Sequence, residues 1–229
     1  MKRVIAAVAA ACLCLAACTT TSTKLGIADS AKPAAGARIL LLKPDVQLAV
    51  LTAGGVDEAR ADWSQQGRDN LEHEIQAQLT SKAYAFRTAD PNALMSGRVG
   101  QLLRLHQAVG QSILAYGYAD ALPTKKGSFN WTLGEGAQTL GQSEGADYAL
   151  FVHANGDYAS GGRVATAIGL AIVGVSVPLG SQTLFASLVD LKTGKVVWFN
   201  TALAGPGADM RDPKGAASLT TDLLKNIPL

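Results

Sequence analysis

Residues 181–203 read SQTLFASLVDLKTGKVVWFNTAL, two β-rich runs on either side of Lys192-Thr193-Gly194. Gly194 can take the left-handed backbone that closes a short loop, so this stretch predicts an antiparallel hairpin. Upstream, Asp147-Tyr148-Ala149-Leu150-Phe151-Val152 predicts another strand, entered after a helix stop at Gly145. Between that strand and the hairpin lies RVATAIGLAIVGVSVPLG, residues 163–180, with no charged residue from Val164 to Val177. Any fold for this chain must find a place for those 14 residues. A helix of that length spans only about 21 Å, short of a ~30 Å hydrocarbon core. Gly169, Gly174 and Pro178 oppose a long straight helix. A membrane-barrel strand alternates its faces, whereas here both are apolar. Buried structure crossing one face of the sheet is the expected reading, with an oligomer contact or a membrane-surface contact as the alternatives.

The rest of the pattern supplies partners for these strands. Ile39-Leu40-Leu41-Leu42 is an apolar run ended by Lys43-Pro44-Asp45, and Gln47–Leu51 reads as a second strand or a continuation past a bend. Trp63, Leu71, Ile75 and Leu79 recur at multiples of four, one narrow apolar stripe on a helix over about residues 58–82. Tyr84-Ala85-Phe86 predicts a brief strand. Asp90-Pro91 and Asp212-Pro213 each combine a capping carboxylate with a proline at the first helical position, and predict helix starts. The first would bury Leu94, Leu102, Leu105, Val109 and Ile113, the second Leu219, Leu223 and Ile227. Trp131–Glu144 predicts one further short helix. Strand–helix alternation followed by a hairpin implies an α/β (α+β) sandwich: a mixed sheet with three to four helices packed on it.

The N-terminus addresses the location. Met1–Ala17, MKRVIAAVAAACLCLAA, has a basic start at Lys2 and Arg3 and an apolar run too short to span a membrane. It ends in Leu15-Ala16-Ala17-Cys18, which matches the bacterial lipobox. That match implies cleavage before Cys18, diacylglycerol on its sulfur, and an acyl chain such as palmitate on the new amine. More than one chain makes the anchor firm, since one alone binds marginally. Thr19 after the cysteine implies sorting to the outer membrane, periplasmic face, by resemblance to enterobacterial lipoproteins. The cysteines are Cys12, Cys14 and Cys18, so the mature chain keeps only the lipidated one and has no disulfide or thiol site. The 20 basic and 18 acidic residues become 18 and 18 once Lys2 and Arg3 leave. That balance argues against a general nucleic-acid or anionic-membrane footprint. Residues 18–37 read as the lipidated cysteine and a small, polar, flexible tether with a reach of roughly 25 Å. Residues 38–229 then form a single domain.

With these elements laid out, the chain resembles a known group. "EGADYALFVHANG" followed by "FASLVDLKTGKVVW" is similar to the domain of the curli-secretion channel lipoprotein. That fold is shared with lipoprotein activators of penicillin-binding proteins and the N-terminal domain of the Tol-system propeller protein. The shared motifs are Gly145–Tyr148 and the turn of Asp190, Thr193 and Gly194. The resemblance implies the fold, and a role in cell-envelope assembly or transport, with envelope proteins or further copies of the chain as partners. It departs from the curli-secretion pattern in having one apolar run rather than an amphipathic pair of membrane strands.

Catalytic chemistry finds little support. Gly141-Gln142-Ser143-Glu144-Gly145 matches the G-x-S-x-G nucleophile elbow. That elbow needs a strand before the serine and a helix after it, and here the order is reversed. The one downstream histidine is His153, with Asp147 and Asp157 near it in sequence. His73 and His106 read as solvated helix residues, and no histidine shows metal-ligand spacing. The expectation is a non-enzymatic module without cofactor or metal. A periplasmic small-ligand-binding protein or serine hydrolase is the alternative. If a ligand or partner loop exists, the polar stretch from Asp157 to Arg163 is its place, through Asp157, Tyr158, Ser160 and Arg163.

Overall fold

A computed structural model describes residues 20–25, 33–34, 36–117, 122–125, 128–205 and 207–229. Cys18 and the signal segment lie outside the described residues. The elements in chain order are β1 (Thr20–Leu25), β2 (Ile39–Leu42), β3 (Asp45–Leu51), β4 (Asp57–Ala59), α1 (Ala61–Ser81) and β5 (Phe86–Ala89). After a 3₁₀ turn at Pro91–Leu94 come α2 (Gly97–Tyr116), α3 (Ala137–Glu144), β6 (Tyr148–Ala159), α4 (Gly161–Ala171), β7 (Gly180–Asp190), β8 (Val196–Ala204) and α5 (Pro213–Leu223). The architecture is α+β, with five α-helices among the described residues where three to four were expected.

One eight-stranded mixed sheet organises the molecule, in the order β1-β8-β7-β6-β2-β5. β6, β7 and β8 form a long antiparallel meander. The chain from Ile39 to Leu51 runs alongside β6 with a bend at Pro44: β2 pairs in parallel with the start of β6, and β3 with its end. β4 folds back on β3. The hairpin turn forms as expected. Asp190 Oδ1 accepts from the Lys192 and Thr193 amides at 2.8 and 3.4 Å, and Gly194 stands at φ +73°. A Cβ there would also lie 2.0 Å from the Gly134 carbonyl oxygen.

The tether expectation needs correction within residues 18–37. Thr20–Leu25 adds to the sheet as an antiparallel edge strand on β8, from Thr20 opposite Leu203 to Leu25 opposite Trp198. A polar threonine-rich segment shows no apolar period, yet its backbone N–H and C=O groups can pair with an open sheet edge whatever its side chains.

Both faces of the sheet are covered. On one face α1 and α5 pack through Leu71, Ile75, Leu79, Leu219 and Leu223 onto Leu150, Val152, Leu184 and Trp198. α5 starts where Asp212–Pro213 predicts, with Asp212 Oδ1 accepting from the Lys214 amide at 2.9 Å. Its last carbonyls, at Asp222 and Leu223, accept from Asn200 Nδ2 on β8 at 3.1 and 2.7 Å, which satisfies groups the helix itself leaves open. On the other face α2 and α3 cover Phe151, Phe185, Val189 and Phe199. Each fully buried large apolar side chain contributes about 1.5–3 kcal/mol. Gly110 lets α2 approach the sheet: a Cβ there would lie 2.6 Å from Phe185 Cε2.

Two helix readings shift. Asp90 caps the 3₁₀ turn through its contact with the Asn92 amide (2.8 Å), and the long helix begins only at Gly97. Leu105 points outward on α2, 44% exposed.

The larger correction concerns residues 164–177, where buried structure was expected. β6 runs on to Ala159, Ser160 caps α4 by accepting from the Arg163 amide at 3.2 Å, and no residue of α4 is buried. Ile168 is 65% exposed, Ile172 84% and Val173 72%. The core below was already filled by side chains from β6, β7, β8 and the four other helices. The apolar run was left outside it.

Candidate functional site

Two places concentrate features that a packed core does not require. The first is a chain of polar side chains on the α2 face. His106 on α2 is only 2% exposed, which corrects the expectation of a solvated residue. Its ring stacks on Phe151 with centroids 3.7 Å apart. His106 Nε2 lies 2.6 Å from the Ser187 hydroxyl on β7, and its Nδ1 lies 3.4 Å from His153 Nε2 on β6. His153 Nδ1 in turn lies 3.3 Å from Asp45 Oδ2, just after the bend at Pro44.

The acidic end of this chain fixes one donor: an ionised carboxylate only accepts, so His153 Nδ1 donates to Asp45. The His106–His153 and His106–Ser187 contacts take their direction from the ring tautomers. Burial, and then the neighbouring His153, hold the His106 imidazole well below its usual range, so it stays uncharged. The hydrogen bond from His153 holds the Asp45 carboxyl below the ordinary carboxylate range.

This chain opens onto a cavity of about 380 Å³. Its wall carries Lys43, Arg68 and Arg104 against Asp45, Asp69 and Asp90, with Leu103, Met95 and Phe151 as apolar surface. Charges of both signs balance there. Among the described residues no group of three or more histidine, cysteine or acidic side chains is placed to hold a metal ion.

The second place is the arm made of α4 and the segment to Leu179. Twelve large apolar side chains are exposed among the described residues, and seven of them are in this arm: Val164, Ile168, Leu170, Ile172, Val173, Val175 and Leu179. Among the described residues nothing lies within 4 Å of where a Cβ would stand on Gly161, Gly169 or Gly174, so none of them covers the arm on those sides. Arg163 braces its base, donating from Nε to the Pro178 carbonyl at 2.8 Å. Two more of the twelve, Val56 and Leu203, lie at the same end of the sheet. Val56 is in the turn after Leu51, which pairs with Ala159, and Leu203 is one residue from the end of β8.

The residues expected to form a polar loop are divided between structural tasks. Tyr158 turns inward, 4% exposed, and donates to Gln182 Oε1 at 2.6 Å. The Arg211 guanidinium lies 3.7 Å from its ring centroid, and burial pushes its phenol well up. Asp157 accepts from the Ser181 hydroxyl at 3.2 Å, and Ser160 is the helix cap. The stretch is a strand end and a helix start rather than a free loop. Ser143 stands in the last turn of α3 and donates to the Leu140 carbonyl at 3.2 Å, while His153 is engaged with Asp45 and His106. The structure does not bring the two together.

No family model matches this chain. No curated protein matches it either. Among solved structures it is similar to the PelC dodecamer from Paraburkholderia phytofirmans, at 15% identity over 90% of this chain and 95% of that one, with a TM-score of 0.42. A single-substitution variant of that dodecamer aligns at 14% identity over 90% and 96%, with a TM-score of 0.41. The LpoB C-terminal domain from Salmonella enterica aligns at 15% identity over 76% of this chain and 85% of that one, with a TM-score of 0.28.

Proposed function

We propose that this chain is a lipid-anchored, non-enzymatic interaction and assembly module of the bacterial envelope, held at the periplasmic face of the outer membrane through Cys18 and engaging envelope proteins or further copies of itself. The observation that carries the reading is the uncovered arm. An apolar surface this continuous costs solubility unless it is covered in use, and such patches mark protein or membrane contacts. The signal segment and the Leu15–Cys18 motif supply the anchor. The separation of Ser143 from His153, and the engagement of His153 with Asp45 and His106, favour binding over turnover. The test has two parts. Intact mass of the membrane-extracted protein is expected to show a chain starting at Cys18 and carrying acyl groups. In-cell crosslinking is expected to capture an envelope protein or a multimer. An unmodified chain, or a monomer that captures nothing, overturns the reading.

A second reading has its own observation. The cavity beside Asp45 and His153 supports binding of a small polar ligand whose charges balance, because its wall carries three cations and three carboxylates. Screening small zwitterionic and neutral polar compounds by chemical-shift changes at the two buried-side imidazoles tests it. Compounds that leave His106 and His153 unmoved exclude the cavity as the site.

A further inference from the structure

We infer that the arm lies in the headgroup interface of the same periplasm-facing leaflet that holds the Cys18 acyl chains, so that the domain rests on the membrane by one end of its sheet rather than standing away on a loose tether. This rests on the anchoring proposed above and goes further, by naming the surface that the arm meets. The occupant is a phospholipid bilayer.

The register of the sheet carries the argument. Thr20 pairs with Leu203 of β8, Leu203 pairs with Thr183 of β7, and Thr183 pairs with Asn155 of β6. Going from Thr20 toward Cys18 therefore means going toward Ser181 and Gly180 on β7, and toward Asp157 and Ala159 on β6. Those are the residues from which the arm leaves and to which it returns. Cys18 precedes Thr20 by two residues, a chain reach of at most about 7 Å. β1 is two strands from β7, about 10 Å across the sheet. The lipid attachment and the arm thus belong to one end of the molecule, and the edge strand keeps them there.

The composition of that end fits a lipid surface. From Val164 to Ser181 no side chain is charged, so the arm offers a protein partner no ion pair. Nine of the twelve exposed large apolar side chains gather there, adding Val56 and Leu203 to the seven of the arm. The hairpin turn at the opposite end carries Lys192 and Thr193. α4 has 11 residues, about 16 Å of helix, and among the described residues no helix is long and apolar enough to cross a membrane. The arm therefore lies in the interface, buried about 5–10 Å into the boundary between headgroups and acyl chains, as interfacial helices are. Asp57, Glu58 and Asp157 accompany Arg163 near this end, so a zwitterionic bilayer suits it better than an anionic one.

The test uses the full lipidated chain, extracted from membranes and reconstituted into phosphatidylcholine vesicles. Ile172→Cys places a thiol at the arm, and Lys192→Cys places one at the far hairpin turn. Cys18 is blocked by its lipid, so each variant takes one environment-sensitive fluorophore. Lipids brominated on the upper acyl carbons are expected to quench the probe at position 172 and to leave the probe at 192 unaffected. A probe at 172 that stays open to iodide from the water phase, with no bromolipid quenching, overturns the inference. So does a blue shift at 172 that grows with protein concentration in detergent, which would show a second copy covering the arm. Intact mass read on the same samples separates the two proposals. Acyl groups without quenching sink the arm's placement alone, whereas a chain without acyl groups sinks the anchor, and quenching is still read with vesicles added.

Discussion

Two apolar stretches separated by only nine residues have opposite fates. YALFVHA, residues 148–154, lies at the centre of the sheet with nearly every side chain covered, while VATAIGLAIVGV, residues 164–175, stands outside with none covered. Hydropathy predicts the reverse, since the exposed stretch is the more apolar of the two. What separates them is whether a partner surface exists: β6 has strands on both sides and helices above and below, whereas α4 emerges beyond the strand ends, where no layer continues among the described residues. Burial is a property of the packing arrangement, and the sequence of a segment only makes it eligible.

The contrast is open to attack by substitution. The largest effect is expected at the centre. Phe185 is 1% exposed and stacked between His153 and Phe199, so Phe185→Ala should cost about 3–5 kcal/mol in urea unfolding. Ile172→Ala on the arm should change stability by less than about 0.5 kcal/mol. Comparable losses at both sites would break the comparison. Glycines sharpen it next. Gly110→Ala forces a methyl group against Phe185 and should cost about 1–3 kcal/mol. Gly169→Ala meets nothing within 4 Å inside a helix and should stabilise by up to about 1 kcal/mol.

The polar chain under α2 comes next. Ser187→Ala removes the hydroxyl partner of His106 Nε2 and leaves a buried ring nitrogen unpaired, a loss of about 1–3 kcal/mol. His106 also sets a pH dependence. Its folded-state range lies below the unfolded one, so the unfolded chain binds the extra proton first. Stability is therefore full above about pH 6.5 and falls as pH drops below it, with a limiting slope of about 1.4 kcal/mol per pH unit. Asp45 acts in the same direction, below its unfolded value near 3.8. Denaturation midpoints at pH 7.5 and 5.5 should converge in His106→Gln relative to the unaltered chain. The smallest expected change in stability is that of Ile168→Asp with Val173→Asp, which should leave the melting temperature in place while abolishing bromolipid quenching of the probe at position 172.

Much of this molecule can be read from its residues. The Asp212–Pro213 cap, the Trp63–Leu79 stripe, the bend at Pro44 and the turn at Gly194 are each fixed by local chemistry, and each forms where the pattern places it. The polar chain was less legible. Ser187, His106, His153 and Asp45 are separated by up to 142 positions, and no spacing rule joins residues on three strands and a helix. A lone histidine on a helix carries no mark of burial. The loop expected from Asp157 to Arg163 failed for a related reason: polar and glycine residues suit a strand end and a capped helix start as well as a connector.

By itself the sequence determined the core strands β2, β3, β6, β7 and β8, the main helices and the turn chemistry, and it carries the lipidation motif, because caps, periodicity and glycine conformations act over a few residues. Only the tertiary structure decided which apolar segments are covered, which edge the threonine-rich strand occupies, and that the arm shares an end of the sheet with the start of that strand. Those outcomes depend on strand order and register, which are settled by contacts between residues far apart in the chain.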